Sequence, residues 1–345
     1  MFAIATRTKS PMAAATLLFV VAFLCLSLHH AEGQIGVCYG NNGNGLPSQQ
    51  EVVNLYKTNS IGAMRIYSPD VATLQALQGS GIKTIIDVPR DNLQSLASDQ
   101  GAANQWVQSN VVPFASAIKY IAVGNEIHPS DQEASSVQPA MQNVLNALNS
   151  NNLGAQIKVS TAIDTTLITN SFPPSNGQFS DTSYITPIIN FLTSNGSPLL
   201  VNVYPYFAYT NNEQAISLEY ALFTSPGKVV TDPNNGKDYQ NLFDALVDAV
   251  YAALARAGAP NTPIVVSESG WPSEGGDAAT SDNAGTYYKN LISHVKQGTP
   301  LKGQGIETYL FAMFDEDRKQ GAATEQHFGL FTPAQQPKYG QLNFT

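Results

Sequence analysis

The chain has 345 residues, of which 26 are acidic and 17 are basic, and its formal net charge is −9. This acidity argues against nucleic acid as a partner, because phosphate backbones are bound by basic surfaces. A chain of this length can bury a large apolar core without the help of disulfide bonds. Of its two cysteines, only Cys38 lies beyond the first 33 residues. Cys38 falls in an apolar run, so we expect its thiol to be buried and inert.

The first 33 residues are predicted to be a secretory signal peptide. Arg7 and Lys9 give the segment a basic start, residues 13–28 are largely apolar, and Ala31-Glu32-Gly33 supplies small residues at the cleavage point. The apolar stretch is short for a membrane span. We therefore expect a secreted, extracellular monomer with no membrane association after cleavage. Its single folded domain is expected to cover residues 34–345.

Eight apolar segments rich in β-branched residues recur along the chain, separated by stretches with helical character. Most are continuous apolar runs, which favours strands buried on both faces of a parallel sheet. The predicted strands cover residues 35–40, 63–68, 83–89, 119–126, 158–164, 199–207, 264–271 and 306–315. Eight strands alternating with helices favour a (β/α)8 barrel of the TIM type. A doubly wound open sheet is the alternative, since alternation alone does not establish closure. Two irregular stretches, 171–182 and 209–237, are interpreted as insertions in the same domain.

Three of the intervals carry clear helix signals. Ser48 and Glu51 form a capping-box pattern ahead of an apolar run. Ser68-Pro69-Asp70 predicts a cap at Ser68, a proline at the first helical position and an early acid. Residues 242–257 form a strongly periodic helix that Gly258 is expected to close.

Two of the predicted strands end in a single glutamate, Glu126 on the fourth strand and Glu268 on the seventh. Carboxylates are uncommon at the ends of buried strands unless they are paired, bonded or used. The C-terminal strand ends build the active face of a barrel, and strands four and seven lie on opposite sides of its mouth. Two acids facing each other across a cleft are what glycoside hydrolysis requires. The alternative for either acid alone is a solvated loop group or a helix cap.

Several longer motifs carry a resemblance to a known family. They are residues 34–40, 64–67, 123–126, 203–207, 266–272 and 311–316, and they follow one another along the whole chain after the signal segment. In these motifs the chain resembles the plant β-1,3-glucanases of glycoside hydrolase family 17. The resemblance implies a retaining enzyme on a (β/α)8 barrel that cuts internal β-1,3 bonds of glucans such as callose, laminarin or fungal wall glucan. Separately, His128, His294 and His327 are scattered without the spacing of metal ligands, so we expect no metal and no cofactor.

The resemblance also assigns roles to particular acids. It implies that Glu126 is the general acid/base and Glu268 the nucleophile. Because an acid catalyst must hold a proton at rest, we expect the surroundings of Glu126 to raise its pKa. The family's cluster after the last strand matches Glu316, Lys319 and Glu325. These three residues either form a salt-linked network that steadies the site or act functionally, by tuning Glu268 or contacting sugar, and we favour the supporting role.

Further residues near the strand ends are candidates for substrate binding. Asn125 precedes the acid/base and is placed to bind the sugar 2-hydroxyl. Aromatic rings could stack on the apolar faces of glucose, and they are Tyr39, Tyr67, Tyr204, Phe207, Trp271 and Phe314. Trp271, directly after the Glu268 motif, is favoured for substrate contact, whereas ordinary barrel packing is the alternative for each ring.

Two other interpretations of the function stay open. An enzyme specific for mixed-linkage β-1,3-1,4-glucan would share both acids, and an inactive glucan-binding or storage protein could use the same scaffold. The chain ends at Thr345 without the longer extension of similar vacuolar enzymes, which favours the extracellular space over the vacuole. Asn195 and Asn343 begin patterns for N-glycosylation.

Overall fold

The computed structural model describes residues 33–345, so the predicted signal peptide lies, except for Gly33, outside the described residues. Its centre is a closed barrel of eight parallel strands, in which the first strand pairs with both the second and the last. The strands are β1 (Ile35–Cys38), β2 (Ala63–Ile66), β3 (Lys83–Val88), β4 (Ile118–Asn125), β5 (Lys158–Asp164), β6 (Leu199–Asn202), β7 (Ile264–Ser269) and β8 (Thr308–Leu310). Closure confirms the (β/α)8 barrel and excludes the open sheet.

Helices fill the intervals between the strands and surround the barrel. They are α1 (Gln49–Thr58), α2 (Val71–Leu77), α3 (Leu93–Ser98), α4 (Gln100–Asn110), α5 (Ala134–Ser150), α6 (Thr182–Asn195), α7 (Pro205–Thr210), α8 (Leu218–Ala221), α9 (Leu242–Arg256) and α10 (Ser281–His294). The strands are buried because one face packs inside the barrel and the other packs against these helices. Within residues 33–345, no helix is long and apolar enough to cross a membrane.

Five of the predicted strands run too long by two residues or more. β1 ends at Cys38 and β2 at Ile66, each two residues before the predicted end, and the last three strands also end early. β6 ends at Asn202 because Pro205 occupies the first position of α7, and proline has no N–H to continue a strand ladder. β7 ends at Ser269, two residues early. β8 ends at Leu310. The Phe311 N–H still donates to the Ser269 carbonyl of β7 at 2.8 Å, but the Ala312 N–H donates outside the barrel, to the Phe328 carbonyl at 2.9 Å.

Two of the three predicted helix boundaries, the start of α1 and the end of α9, are confirmed. Ser48 and Glu51 form both bonds of the capping box at the start of α1. Gly258, with φ +84°, follows the end of α9. The prediction for α2 is wrong by two residues: Asp70 is the N-cap, because its carboxylate accepts from the N–H groups of Ala72 and Thr73, and Pro69 lies before the helix.

The two irregular stretches contain short local structure. The first is framed by a two-stranded ribbon of Ile168–Thr169 and Gln178–Phe179. The second holds α8 and leads into a ribbon of Val230–Thr231 and Asp238–Tyr239. Both lie after C-terminal strand ends, where insertions can form one wall of a site without disturbing the barrel.

Candidate active site

A cleft of about 750 Å³ opens at the C-terminal end of the barrel. One end of the cleft is formed by residues after β1 and β8, including Asn41 and Glu316. The other end is formed by residues after β5 and β6, including Thr166 and Asn211. Glu126 and Glu268 both line the space between these ends. The cleft therefore crosses the mouth of the barrel and brings together the two acids that the sequence singled out.

An irregular strand end places Glu126. The pairing of β4 with β5 shifts register between Ala122 and Asn125, and Gly124 has φ +86°. Glycine suits this conformation because it lacks a Cβ. Glu126 itself has φ +52°, and its N–H donates to the Ala162 carbonyl at 2.9 Å. In a regular strand Asn125 and Glu126 would face opposite sides. The bulge lets both residues line the cleft.

Three donors surround the Glu268 carboxylate, which is 6 % exposed. Arg65 Nη1 donates to Oε1 at 2.9 Å, and the Tyr67 hydroxyl donates to the same oxygen at 2.8 Å. The Tyr204 hydroxyl donates to Oε2 at 2.6 Å. These charged and phenolic donors engage both oxygens and fix the orientation of the carboxylate. This environment suits a nucleophile.

Glu126 has a different environment. It accepts one hydrogen bond, from Asn202 Nδ2 to Oε1 at 2.8 Å. Burial, assisted by the negative charge of Glu268, raises the pKa of Glu126 to about 7, against the opposing effect of the Asn202 bond. The expected rise in pKa is confirmed. Of the two facing carboxyls, one is surrounded by donors and the other holds a proton in mild acid, which is the division of roles that acid–nucleophile catalysis needs.

The guanidinium of Arg65, fully buried on β2, connects the acids to the barrel interior. Two hydrogen bonds join it to Asp87 on β3, Nε to Oδ1 at 3.2 Å and Nη2 to Oδ2 at 2.7 Å. Its Nη2 donates to Asn125 Oδ1 at 2.9 Å, and its Nη1 donates to Asn202 Oδ1 at 3.1 Å. Sequence reasoning missed Arg65, Asp87 and Asn202. Each of them is a polar side chain within an otherwise apolar strand. The occurrence of such a residue on three strands of one predicted barrel is the signal that could have found them.

The remaining predicted residues mostly line the cleft. Tyr67, Tyr204 and Phe207 do so, and so do the three residues of the cluster after β8, which are Glu316, Lys319 and Glu325. Lys319 Nζ lies 3.1 Å from Glu325 Oε2 and 4.4 Å from the ring centre of Phe311.

Glu316 is held separately from that ion pair. Its Oε1 accepts from the N–H of Asn42 at 3.1 Å, and burial raises its pKa. Glu316 thereby ties the loop after β8 to the loop after β1. Both the supporting role and direct sugar contact are compatible with these positions.

Trp271 does not reach the cleft, and the prediction that it contacts substrate is wrong. Its side chain is 0 % exposed, and the indole N–H donates to the Ala278 carbonyl at 3.0 Å. The ring packs edge-on against Tyr206 and obliquely against Tyr287, behind the wall of the cleft. The chain turns after β7, so the indole points between α7 and α10 rather than into the mouth.

Tyr39 and Phe314 are also packing residues. They are buried and meet edge-on, with ring centres 6.3 Å apart, and neither lines the cleft. Ordinary barrel packing, the alternative for each aromatic ring, therefore describes these two.

Comparison with known proteins agrees with this geometry. Residues 35–344 match the sequence pattern of the Glycosyl hydrolases family 17. The chain belongs to this family. It is 62 % identical to a glucan endo-1,3-beta-glucosidase of Vitis vinifera, over 90 % of this chain and 92 % of the relative. It is 56 % identical to the acidic isoform of glucan endo-1,3-beta-glucosidase of Zea mays, over 90 % of this chain and 91 % of that protein.

Solved structures give the same result. CJP38, a beta-1,3-glucanase and allergen of Cryptomeria japonica pollen, superposes with a TM-score of 0.87 at 49 % identity, over 90 % of this chain and 99 % of its own. One of two plant beta-glucan endohydrolases with distinct substrate specificities superposes with a TM-score of 0.85 at 43 % identity, over 89 % of this chain and 99 % of its own. This family 17 chain is thus a glycoside hydrolase whose fold has well-matched relatives.

Proposed function

We propose that this enzyme hydrolyses internal β-1,3-glucosidic bonds of β-1,3-glucans by a retaining, double-displacement mechanism. The observation that carries the proposal is the pair of acids in the cleft, Glu126 with a raised pKa and Glu268 within a set of donors. The names of the relatives from Vitis vinifera and Zea mays support the choice of glucan. Membership of family 17 supports the assignment of the acids.

In the first step, Glu268 attacks the anomeric carbon while protonated Glu126 gives its proton to the departing glycosidic oxygen. Tyr67 and Tyr204 hold the attacking carboxylate in place through its two oxygens. One bond from the anomeric carbon to Glu268 forms and the glycosidic bond breaks. The products are a glycosyl–enzyme ester and a shortened glucan with a new hydroxyl.

In the second step, Glu126 acts as a base. It is ionised after the first proton transfer. Burial and the charge of Glu268 both raised the pKa of Glu126, and the second of these is gone because the ester has neutralised Glu268. Glu126 takes a proton from water as the water oxygen attacks the anomeric carbon. The Glu268 ester bond breaks, and the β-configuration is restored with Glu126 again protonated.

Asn125 is proposed to bind the sugar at the reacting centre. Its Oδ1 accepts from Arg65 at 2.9 Å and from Asn202 at 3.0 Å, and Arg65 can only donate, which fixes the orientation of the amide. Among the described residues, none accepts a hydrogen bond from Asn125 Nδ2. That N–H group is left for the sugar 2-hydroxyl, whose hydrogen bond strengthens in the transition state of glycoside hydrolysis.

The shape of the cleft supports attack within a chain rather than at its end. The cleft extends to residues on the β1/β8 side and to residues on the β5/β6 side, and the acids lie between these two ends. A glucan lying across the mouth can therefore occupy positions on both sides of the bond that is cut.

Mixed-linkage β-1,3-1,4-glucan is the second candidate substrate. A solved relative is one of two plant beta-glucan endohydrolases with distinct substrate specificities, which supports a second candidate among the glucans. We further propose that residues 1–33 are a cleaved signal peptide, that residues 34–345 form the enzyme, and that it acts outside the cell.

The test is incubation of the purified protein with laminarin, and in parallel with barley mixed-linkage glucan, while NMR follows the new reducing ends. Early release of β-configured internal fragments from laminarin is the expected result. Glu268→Gln should abolish turnover and keep laminarin binding. Retained turnover in this variant would remove Glu268 from the mechanism. Activity of the parent protein on barley glucan alone would change the proposed substrate to mixed-linkage β-1,3-1,4-glucan.

A further inference from the structure

Asn202, at the end of β6, is fully buried, and both the nitrogen and the oxygen of its side-chain amide make hydrogen bonds. Its Nδ2 donates to Glu126 Oε1 at 2.8 Å and to Asn125 Oδ1 at 3.0 Å. Its Oδ1 accepts from Arg65 Nη1 at 3.1 Å and from the Ser267 hydroxyl at 2.8 Å. Because guanidinium nitrogens only donate, the atom facing Arg65 must be the amide oxygen. The N–H₂ group of Asn202 must therefore face Glu126.

This orientation distinguishes the two oxygens of the Glu126 carboxyl. Oε1 faces a donor, so a proton on Oε1 would point toward an N–H group and lose the 2.8 Å bond. In the described part of the chain, no residue donates to Oε2. The neutral acid is consequently most stable with its proton on Oε2 and with Oε1 accepting from Asn202.

We propose that Asn202 is the positioning residue of the acid/base, holding the catalytic proton of Glu126 on Oε2 for delivery to the glycosidic oxygen. The inference rests on the function proposed above for Glu126. The same N–H group serves the second half-reaction, because it stabilises the carboxylate that then accepts a proton from water. The pKa of Glu126 agrees with this role, since the Asn202 bond lowers it while burial and Glu268 raise it.

Two variants separate this role from simple packing. Asn202→Asp keeps the shape of the side chain and replaces the donor by an oxygen, so the proton of Glu126 can settle on Oε1 against Asp. Asn202→Ala removes the donor without adding a charge. Each is assayed on laminarin and on a dinitrophenyl laminaribioside, whose leaving group departs without protonation and needs no acid catalyst.

We expect kcat/KM on laminarin to fall about 100-fold in Asn202→Asp, the lower end of what general acid catalysis contributes. On the dinitrophenyl substrate the first step should be far less affected, so the ratio of the two kcat/KM values changes strongly. The basic limb of the laminarin pH profile, expected near pH 7 from Glu126, should move to higher pH in both variants. Since both substrates are measured in one preparation, any unfolded fraction cancels from the ratio.

Ser160→Ala is the matched control. The Ser160 hydroxyl is buried and donates to the Pro198 carbonyl at 2.6 Å, so this variant loosens the start of β6, at the opposite end of the strand from Asn202. It should lower thermal stability and leave the substrate ratio and pH profile unchanged. An unchanged ratio in the Asn202 variants would overturn the inference. If Glu126→Gln kept full activity on laminarin, the proposed function itself would fail, which is a separable outcome.

Discussion

The Glu126→Gln variant should be more stable than the parent protein at pH 8 and no more stable at pH 4. Glu126 is ionised above pH 7 while it lies partly buried and faces the negative Glu268, and both conditions disfavour its charge. Glutamine has nearly the same shape and carries no charge at any pH. The amide can still meet the Asn202 side chain through its oxygen, so the hydrogen bond at this position is retained.

The magnitude follows from the pKa of the folded protein. The value rises from 4.5 to about 7 on folding, and this difference corresponds to about 3 kcal/mol at roughly 1.4 kcal/mol per pKa unit. Between these two values the folded state keeps a proton that the unfolded state has lost. Stability therefore falls as the pH rises from 4.5 to 7, and the full penalty applies above 7. In a protein of this size it corresponds to about 5 °C in the melting temperature.

The assay is thermal unfolding of the parent protein and the variant at pH 4 and pH 8. The matched control is Glu213→Gln, which changes an exposed acid in the stretch before α8 and should show no pH-dependent difference. A gain for Glu126→Gln that is equal at both pH values would refute the argument, because packing rather than charge would then explain it. If the variant gained no stability at pH 8, ionised Glu126 would carry no free-energy penalty in the folded protein.

Two further changes test the surroundings of the acids. Tyr204→Phe removes the 2.6 Å bond to Glu268 Oε2, and the loss of a hydrogen bond to a charged group, about 1.5–3 kcal/mol, should reduce kcat/KM on laminarin about 10- to 100-fold. A change below threefold would show that the phenol does not help to place the nucleophile. Gly40→Ala would put a Cβ 2.2 Å from Glu316 Oε1 and displace that carboxylate from the cleft wall, so KM for laminarin should rise. An unchanged KM would assign Glu316 a purely structural role.

Much of the fold could be predicted from the sequence because the information is local. Continuous apolar runs identify buried strands, and their number and alternation with helices favour a barrel. Once the strands are parallel and closed, their C-terminal ends share one face, so Glu126 and Glu268 had to approach the same cleft. The strand ends were less well predicted, since Pro205 ends the sixth segment early and Asp70 displaces the expected cap.

The chemistry between the acids was decided by tertiary structure. Arg65 and Asn202 are 137 residues apart, and only the register of the closed barrel brings them to 3.1 Å. The same holds for Trp271, whose position beside Glu268 in sequence suggested substrate contact, although the turn after β7 buries it behind the cleft. The sequence by itself determined which strands form and which acids end them. Only the barrel decided which side chains surround each acid, and hence which acid keeps its proton, because pKa values depend on burial and neighbouring charge in space rather than on position along the chain.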